Sequence, residues 1–156
     1  MSNKKADNFK TITVNRKAFY DYEVLERVEA GLALMGTEIK SIRVGRVNIR
    51  PAYVRPLEGE LWLVNAHIAA YKDGTIYNHE PLRPRKLLLH KSQVLDLAAS
   101  VDQKGLTIVP LRIYIKRHVA KVELGLVRGK RQYDKRRTIM EREQDREAQR
   151  AMRHAV

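Results

Sequence analysis

Strict alternation of apolar and polar residues in the second half of the chain restricts the fold more than any other feature. The segment 111–116, LRIYIK, carries an aliphatic residue at every second position. The segment 121–126, KVELGL, repeats this pattern after a short break at Arg117 and His118. Because successive side chains of a β-strand point to opposite faces, the alternation predicts two half-buried strands joined as a hairpin. Pro110 indicates a bulge or an edge position in the first of these strands.

Other short strand signals agree with this hairpin. Residues 61–64, LWLV, follow a turn at 58–60 and predict a further strand, and Asp73-Gly74 predicts another turn. Many short strands with a few small helices indicate a mainly β fold, a closed or nearly closed barrel. We expect an OB-like barrel of Greek-key type, since that architecture commonly binds RNA on an outer face. It is predicted to span residues 10–127, after a flexible N-terminus at 1–9.

Two short helices are predicted from capping residues and helical spacing. The first covers residues 37–44, with Thr37 as its N-cap. Ile39 and Ile42 share its inner face. The side chains predicted to point outward are Glu38, Lys40, Ser41 and Arg43. The second helix covers residues 92–103 and ends at Gly105.

The composition changes sharply after Val127. Residues 128–156 carry ten Lys and Arg against five Asp and Glu, with four sizeable aliphatic residues. Such a segment buries too little apolar surface to offset its ordering entropy, so we expect a disordered basic tail in the free protein. Arg142, Arg146, Arg150 and Arg153 would line one face of a helix. The tail is therefore expected to become helical when RNA phosphates meet this arginine stripe.

The net charge of the chain indicates its class of partner. Lys and Arg number 31 against 18 Asp and Glu, for a formal net charge of +13 and a pI near 10.2. A polyanion usually screens such an excess, and for a basic domain that polyanion is normally nucleic acid. An anionic membrane surface is the other candidate, although no stretch approaches the roughly 18 apolar residues of a membrane span. No secretory signal is present at the start, so we expect a cytoplasmic protein.

The pattern of reactive side chains does not predict catalysis. Cysteine is absent, and the five histidines show no metal-ligand spacing. No glycine-rich loop matches a phosphate-binding fingerprint. We therefore predict a monomer that acts by binding, with no catalytic residue, cofactor or metal. An RNase that uses paired carboxylates such as Glu23 and Glu26 with Mg²⁺ stays open as a rival.

Two basic clusters are the candidate RNA contacts. One is the segment 83–86, RPRK, in which we select Arg85 and Lys86; the other contains Lys40 and Arg43. Each cluster alone is more often a solvated face, but together with the basic pI they favour RNA binding. The seven tyrosines offer surfaces on which bases could stack, although most tyrosines in such a barrel are simply half-buried.

Four motifs make the chain resemble a known family. They are the segments 15–18 (NRKA), 28–43 (VEAGLALMGTEIKSIR), 85–89 (RKLLL) and 129–136 (GKRQYDKR). In this order and spacing they closely resemble the SsrA-binding protein family, SmpB, over nearly the whole chain. The resemblance implies a protein that binds transfer-messenger RNA and escorts it to ribosomes stalled on messages without a stop codon. It also implies an OB-type barrel with about three helices, an unstructured C-terminal tail and no enzymatic activity.

The resemblance places RNA-binding roles on Asn15, Glu29 and Leu88. An Asn amide can donate and accept at a base edge or ribose, and a leucine can pack under an unstacked base. A carboxylate repels phosphate, so Glu29 must accept from base amino groups or 2′-hydroxyls, or orient a neighbouring arginine. On residue type alone, Leu88 is favoured instead as a core residue.

The resemblance also places ribosome contacts in the tail. The matching residues are Gly129, Lys130, Arg131, Tyr133, Asp134, Lys135 and Arg136, with Arg131 in place of a family lysine. Tyr133 is expected to stack at the decoding region while the cations contact phosphate. The distal tail, with small residues such as Ala148 and Ala151, departs more from the family.

These expectations combine into a mechanism of molecular mimicry. The resemblance implies that the barrel holds the tRNA-like part of the RNA at its elbow and that the protein body replaces the missing anticodon arm. We expect the tail to enter the empty mRNA channel of the small ribosomal subunit and to report that no codon is present. The rival from another class is a resident ribosomal structural protein, which would not select stalled ribosomes or transfer-messenger RNA.

Overall fold

The computed structural model describes residues 9–71, 78–130 and 132–154, which form nine strands and four helices. The strands are β1 (Phe9–Val14), β2 (Tyr22–Leu32), β3 (Val47–Asn48), β4 (Tyr53–Leu57), β5 (Glu60–Val64), β6 (His67–Ile68), β7 (Arg85–Leu88), β8 (Thr107–Lys116) and β9 (Val119–Gly129). The helices are α1 (Arg16–Asp21), α2 (Gly36–Arg43), α3 (Lys91–Lys104) and α4 (Gln132–His154). The predicted mainly β class is confirmed.

Seven strands form one antiparallel sheet in the order β1-β8-β9-β2-β7-β5-β4, and β3 pairs separately with β6. The sheet curls until β4 lies against β8, yet no hydrogen-bonded ladder joins these two strands among the described residues. Both edges of β8 are already paired, with β1 on one side and β9 on the other. Strand β4 therefore has no edge of β8 to join, and the predicted closed barrel is replaced by an open, curled sheet.

Strands β8 and β9 form the predicted hairpin. The pair Lys116 and Val119 closes it, and a register shift between Pro110 and Arg112 is the bulge that Pro110 indicated. Its two-residue turn consists of Arg117 and His118, both with left-handed backbone angles, φ 50° and 67°. Two-residue hairpin turns adopt this conformation because it matches the right-handed twist of the strands.

Helix α2 differs from its prediction. It begins one residue before the expected cap, Thr37, and Glu38 and Ser41 are fully buried instead of pointing outward. The Glu38 carboxylate accepts a 2.8 Å hydrogen bond from the backbone N–H of Met35 and also pairs with arginines from another segment. Helical spacing places charged residues outside, but a charge can be buried when it is paired and hydrogen-bonded.

Helix α1 was not predicted from the residues, whereas α3 was predicted to within one residue at each end. The side chain of Asn15 caps α1 by accepting a hydrogen bond from the backbone N–H of Ala18. Helix α3 is followed by Gly105 in the left-handed conformation, φ 63°, as its predicted stop.

The core lies inside the curled sheet. Aliphatic side chains from the large sheet, α2 and α3 fill it, among them Ile42, Leu61, Leu97, Ile113 and Val122. A smaller cluster packs α1 against β8 and β9 through Ala18, Leu111 and Val127. The chain thus has one main core and a separate contact that holds α1.

Residues 132–154 form helix α4, in the segment for which the sequence predicts a tail that is disordered when free and helical when bound to RNA. After Gly129 the sequence contains neither glycine nor proline, and Glu143 and Glu147 each precede an arginine by three residues. Both features favour a helix. The described side chains between 139 and 151 are all exposed, so this stretch of the helix packs no apolar face on the sheet.

Some predictions fall on residues that the structure does not describe. The flexible N-terminus, apart from Phe9, the turn at Asp73-Gly74 and the ribosome contact at Arg131 lie outside the described residues.

Candidate RNA-binding surface

A groove of about 410 Å³ opens where β2 pairs with β7. Its lining consists of Glu29, Gly31, Leu88, Leu89, His90, Gln93 and Lys121. Gly31 stands at the centre, because it pairs with Leu88 on one side and with Lys121 on the other. Two of the three positions that the family resemblance selects, Glu29 and Leu88, therefore lie in the same groove.

Leu88 is an exposed residue and not the core residue that its type alone favoured. Alternation along β7 buries Arg85 and Leu87 and turns Lys86 and Leu88 outward. Leu88 remains 51% exposed. A Cβ atom on Gly31 would lie 3.2 Å from the Cβ of Leu88, so the glycine allows a close approach of the two strands. An apolar side chain exposed in a groove can receive a flat apolar ligand.

The carboxylate of Glu29 is anchored and ionised. The hydroxyl of Tyr114 donates a hydrogen bond to its Oε2 atom, and Nζ of Lys116 lies 3.6 Å from the same oxygen. The Tyr114 hydroxyl, with help from Lys116 and Lys121, holds the pKa of Glu29 below its usual value, although partial burial acts in the opposite direction. The side chain of Glu29 is still 41% exposed, so it can accept hydrogen bonds from a ligand.

Tyr114 is a buried residue that supports the groove through Glu29, and the sequence reasoning did not single it out. Its ring is buried beneath Phe9, with the ring centroids 4.7 Å apart, and the guanidinium of Arg112 lies 4.9 Å from its centroid. Burial and the neighbouring Glu29 carboxylate raise the pKa of Tyr114, so it stays protonated as a donor. The alternation of β8 had already placed Tyr114 on the polar face, which was the available signal.

Asn15, the third position selected by the resemblance, is buried and fully used inside the protein. Its Oδ1 caps α1, and its Nδ2 donates to the carbonyl oxygens of Pro110 and Ile49, at 3.0 and 3.4 Å. Its exposure is 2%. A direct hydrogen bond from Asn15 to a base edge is therefore not available in this structure. The residue instead fixes α1 to β8 and to the turn before β4.

Arg85 likewise belongs to the interior and not to the RNA surface. Its Nε donates to Glu38 at 2.5 Å, and its Nη1 and Nη2 donate to the carbonyl oxygens of Ala66 and Pro81 at 2.6 and 3.0 Å. Arg85 and Glu38 are both 0% exposed. The predicted RNA contact at Arg85 is thus contradicted, because every part of its guanidinium is occupied within the fold.

A second arginine completes this buried group. Arg83 donates to the other carboxylate oxygen of Glu38 and is one-third exposed. Burial alone would raise the pKa of Glu38, but hydrogen bonds from Arg83, Met35 and Arg85 hold it below its usual value. We call Glu38, Arg83 and Arg85 the buried triad. It ties the segment before β7 to helix α2.

The other predicted cations are on the surface but do not converge on one point. Nζ of Lys40 lies 5.3 Å above the ring centroid of Tyr71, and Nζ of Lys86 lies 2.8 Å from Glu60. Arg43 is exposed on α2, and its Nη2 donates at 3.5 Å to the carbonyl oxygen of His118 in the β8–β9 turn. Lys86 shares the outer face of β7 with the groove, whereas Lys40 and Arg43 belong to α2.

The predicted tail residues begin at the opposite end of β2 from the groove. Gly129 pairs with Tyr22, the first residue of β2. The next residue, Lys130, donates from its backbone N–H to Asp21 and from Nζ to Phe19, both at 3.0 Å. Tyr133, Asp134, Lys135 and Arg136 lie in the first turns of α4, where only the backbone is described. Arg142, Arg146 and Arg150 are exposed along one face of that helix.

A basic body with such a groove is typical of an RNA-binding protein, and comparisons with known proteins define the class further. The SmpB protein family model matches residues 12–154. The SsrA-binding protein of Carboxydothermus hydrogenoformans is 54% identical over 144 residues, which cover 92% of this chain and 97% of that protein. The SsrA-binding protein of Ligilactobacillus salivarius is 50% identical over 151 residues, covering 97% and 96%. The chain belongs to the SmpB family.

A solved structure shares the same fold. It is described as "tmRNA-SmpB: a journey to the center of the bacterial ribosome", and its matching chain is 50% identical in sequence. The two align with a TM-score of 0.65 over 81% of this chain and 93% of that chain. The body described above, with its open sheet and helices, is therefore the SmpB architecture.

Within residues 9–71, 78–130 and 132–154, no three His, Cys, Asp or Glu side chains come together to hold a metal ion. None of the helices in the described part of the chain is long and apolar enough to cross a membrane.

Proposed function

We propose that this chain binds transfer-messenger RNA through the groove of Glu29 and Leu88 and delivers it to stalled ribosomes for trans-translation. The observation that carries the proposal is the meeting of an anchored carboxylate and an exposed leucine in one groove. These residues are far apart in sequence and are joined only by the pairing of β2 with β7. The identity of the RNA comes from the relatives, which are SsrA-binding proteins, and from the solved relative described with tmRNA.

The two side chains supply different parts of RNA recognition. Leu88 offers an apolar surface on which an unstacked base can lie, as single-stranded RNA loops require. Glu29 accepts from base amino groups or 2′-hydroxyls, because an ionised carboxylate is an acceptor only. Lys121 lines the same groove and can neutralise a phosphate. The groove is thus suited to a splayed nucleotide more than to a regular duplex.

The tail gives the second half of the proposed mechanism. Helix α4 presents Arg142, Arg146 and Arg150 along one exposed face, which suits ribosomal RNA phosphates in the empty mRNA channel. Tyr133 and the cations beside it are proposed to contact the decoding region. The groove and the tail root lie at opposite ends of β2. One molecule can therefore bind its RNA at one end of β2 and contact the ribosome from the other end.

We propose that the protein does this in the cytoplasm as a monomer, by binding and not by catalysis, without a cofactor. The rival RNase would need paired acids around a metal ion. Glu23 instead pairs with Arg128 at 2.8 Å, and Glu29 is anchored by Tyr114. The second rival is a resident ribosomal protein. Association with transfer-messenger RNA, and only with those ribosomes that are stalled, would favour the delivery role over this rival.

The groove is tested by replacing Glu29 with arginine. Bulk electrostatics predicts tighter binding of Glu29→Arg to any RNA, whereas loss of base or sugar recognition predicts weaker binding to the tRNA-like domain of transfer-messenger RNA. We expect a loss of about 1–3 kcal/mol in specific binding free energy. Glu26→Arg is the matched control, because it makes the same charge change on an exposed position of β2 outside the groove. Specific binding by Glu29→Arg that equals the wild type would contradict the role of the groove.

The tail is tested by deleting residues 138–156 from the full chain. We expect RNA affinity and ribosome recruitment to remain nearly intact, while tagging of stalled nascent chains is lost. A deletion protein that tags at the wild-type rate would remove the proposed role of the tail. Replacing Arg142, Arg146 and Arg150 together by glutamine tests the stripe itself, since glutamine is a good helix former without the charge.

A further inference from the structure

The turn between β8 and β9 is a strained and basic hairpin tip. Arg117 and His118 both have positive φ angles, 50° and 67°, and both are exposed. Bulky side chains rarely enter this region, and two-residue hairpin turns strongly prefer Asn-Gly there. A tip that carries two other residues gives up stability, and such local strain concentrates at functional positions. We call Arg117, His118 and the neighbouring Arg43 the basic tip.

Several cations surround this turn and no acid interrupts it. Arg43 of α2 reaches the turn through its 3.5 Å hydrogen bond to the His118 carbonyl oxygen. Lys116 immediately precedes the turn, and the sequence from Arg112 to Val122 contains no Asp or Glu. A guanidinium pair and a lysine in one small surface region form a positive field that attracts phosphate.

The basic tip continues the wall of the groove. On β9, Lys121 pairs with Gly31 inside the groove, and His118 is only three residues away, roughly 10 Å along a strand. On β8, Lys116 lies 3.6 Å from the Glu29 carboxylate. The hairpin tip and the groove therefore lie within the reach of one RNA strand. Charge complementarity and this continuity favour RNA as the occupant of the tip.

We propose that the basic tip holds the sugar–phosphate backbone of the RNA whose nucleotide lies in the groove, and that the strained turn serves this contact. The inference rests on the proposed function, because it adds a phosphate contact to the same site. Glu29 repels phosphate, so a groove built around it needs cations at its margin to hold the RNA strand. Arg117 is suited to this because a guanidinium binds phosphate with two parallel hydrogen bonds.

The test separates the cation from the conformation of the turn. Arg117→Asn with His118→Gly relaxes the turn and removes the charge, whereas Arg117→Gln removes the charge and keeps the strain. Glu58→Asn is the matched control, because Glu58-Gly59 between β4 and β5 is a second turn with positive φ angles, 52° and 76°, and it loses no cation. Each full-length variant is titrated with the tRNA-like domain of transfer-messenger RNA over a salt series, and its thermal midpoint is measured.

We expect the double variant to melt about 3–6 °C higher than the wild type while its RNA affinity falls. The dissociation constant should rise about threefold to tenfold in both Arg117 variants, and the log–log salt slope should lose about 0.7–0.9 for one phosphate contact. Arg117→Gln should show this loss without the gain in melting temperature. Glu58→Asn should melt higher and bind RNA no more weakly than the wild type.

Three results would overturn the inference. Unchanged affinity and salt slope in both Arg117 variants, with normal wild-type binding, would remove the basic tip and leave the proposed function standing. An equal loss of affinity in Glu58→Asn would show that the missing cation is not the cause. Failure of the wild type to prefer the tRNA-like domain over an unrelated RNA of equal length would remove the proposed function, and the basic tip with it.

Discussion

Two glutamates of this chain bind donors in opposite settings. Glu38 is fully buried, and two arginines and the Met35 N–H occupy its carboxylate. Glu29 is 41% exposed, and the hydroxyl of Tyr114 anchors it at one oxygen. Both have a pKa below the usual carboxyl value, but the first holds the fold and the second faces a groove. The same residue type is enclosed by its partners in one place and only oriented by them in the other, where it remains exposed.

Removing the charge of Glu38 should have the largest effect. Glu38→Gln leaves Arg85 buried without a countercharge, so we expect the free energy of unfolding to fall by about 3–5 kcal/mol. Urea denaturation measures this loss. Glu60→Gln is the control, because Glu60 pairs with Lys86 on the exposed face and its loss should cost less than about 1 kcal/mol. Equal effects of the two variants would contradict the distinction between buried and exposed pairs.

Shortening the branched donor of the buried triad should have a smaller effect. Arg85→Lys keeps the positive charge but cannot reach Glu38 and the carbonyl oxygens of Ala66 and Pro81 together. We expect unfolding to become easier by about 1–3 kcal/mol, since buried acceptors lose their donors. Full stability of Arg85→Lys in denaturant would show that charge alone matters there.

The contribution of Glu38 to the free energy of unfolding should depend on pH in the acid range. The folded pKa of Glu38 is lowered from the value 4.5 of a free carboxyl. Its contribution is therefore fully present above about pH 4.5 and is lost as pH falls through the folded pKa, by at most about 1.4 kcal/mol per pH unit. Denaturation at several values below pH 4.5 should show a shallower fall for Glu38→Gln than for the wild type. Parallel curves for the two proteins would contradict this linkage.

Removing the anchor of Glu29 should lower stability less than either change in the buried triad, and it should also weaken RNA binding. Tyr114→Phe deletes one hydroxyl, so we expect a loss of about 0.5–1.5 kcal/mol in unfolding free energy. The pKa of Glu29 should rise toward its usual value, which an NMR titration of the carboxyl carbon measures. Specific RNA affinity should fall severalfold. Tyr53→Phe on the exposed edge strand provides the control, and its RNA affinity should match the wild type.

The elements that the sequence predicted correctly depend on local patterns. The alternation of apolar and polar residues was sufficient to predict β8 and β9, and the missing N–H of Pro110 was sufficient to predict the bulge. The closed barrel was wrong because closure depends on which distant edge is still unpaired. Glu38 was predicted outward because its arginine partners follow 45 and 47 residues later. Local periodicity contains no information about such partners.

The candidate site was predictable in part, and for a different reason. Residue type alone did not distinguish Leu88 from a core leucine; only the family motif predicted a role for it in RNA binding. The same motifs also contain Asn15 and Arg85, which the fold buries. A motif thus contains both buried residues that hold the backbone and exposed residues that line the groove. Tyr114 lies outside all four motifs, so its role became visible only through its hydrogen bond to Glu29 in the structure.

Helix α4 is long, and the residue pair before it begins with Lys130, which is hydrogen-bonded to the body of the protein. Its 23 residues extend about 35 Å, and Lys130, two residues before its start, donates hydrogen bonds to Asp21 and Phe19 of α1. Because the helix has this length, a rotation of about 10° at its start would displace its far end by roughly 6 Å. Asn15 caps α1, so one buried amide stabilises the helix to which Lys130 is hydrogen-bonded just before α4 begins.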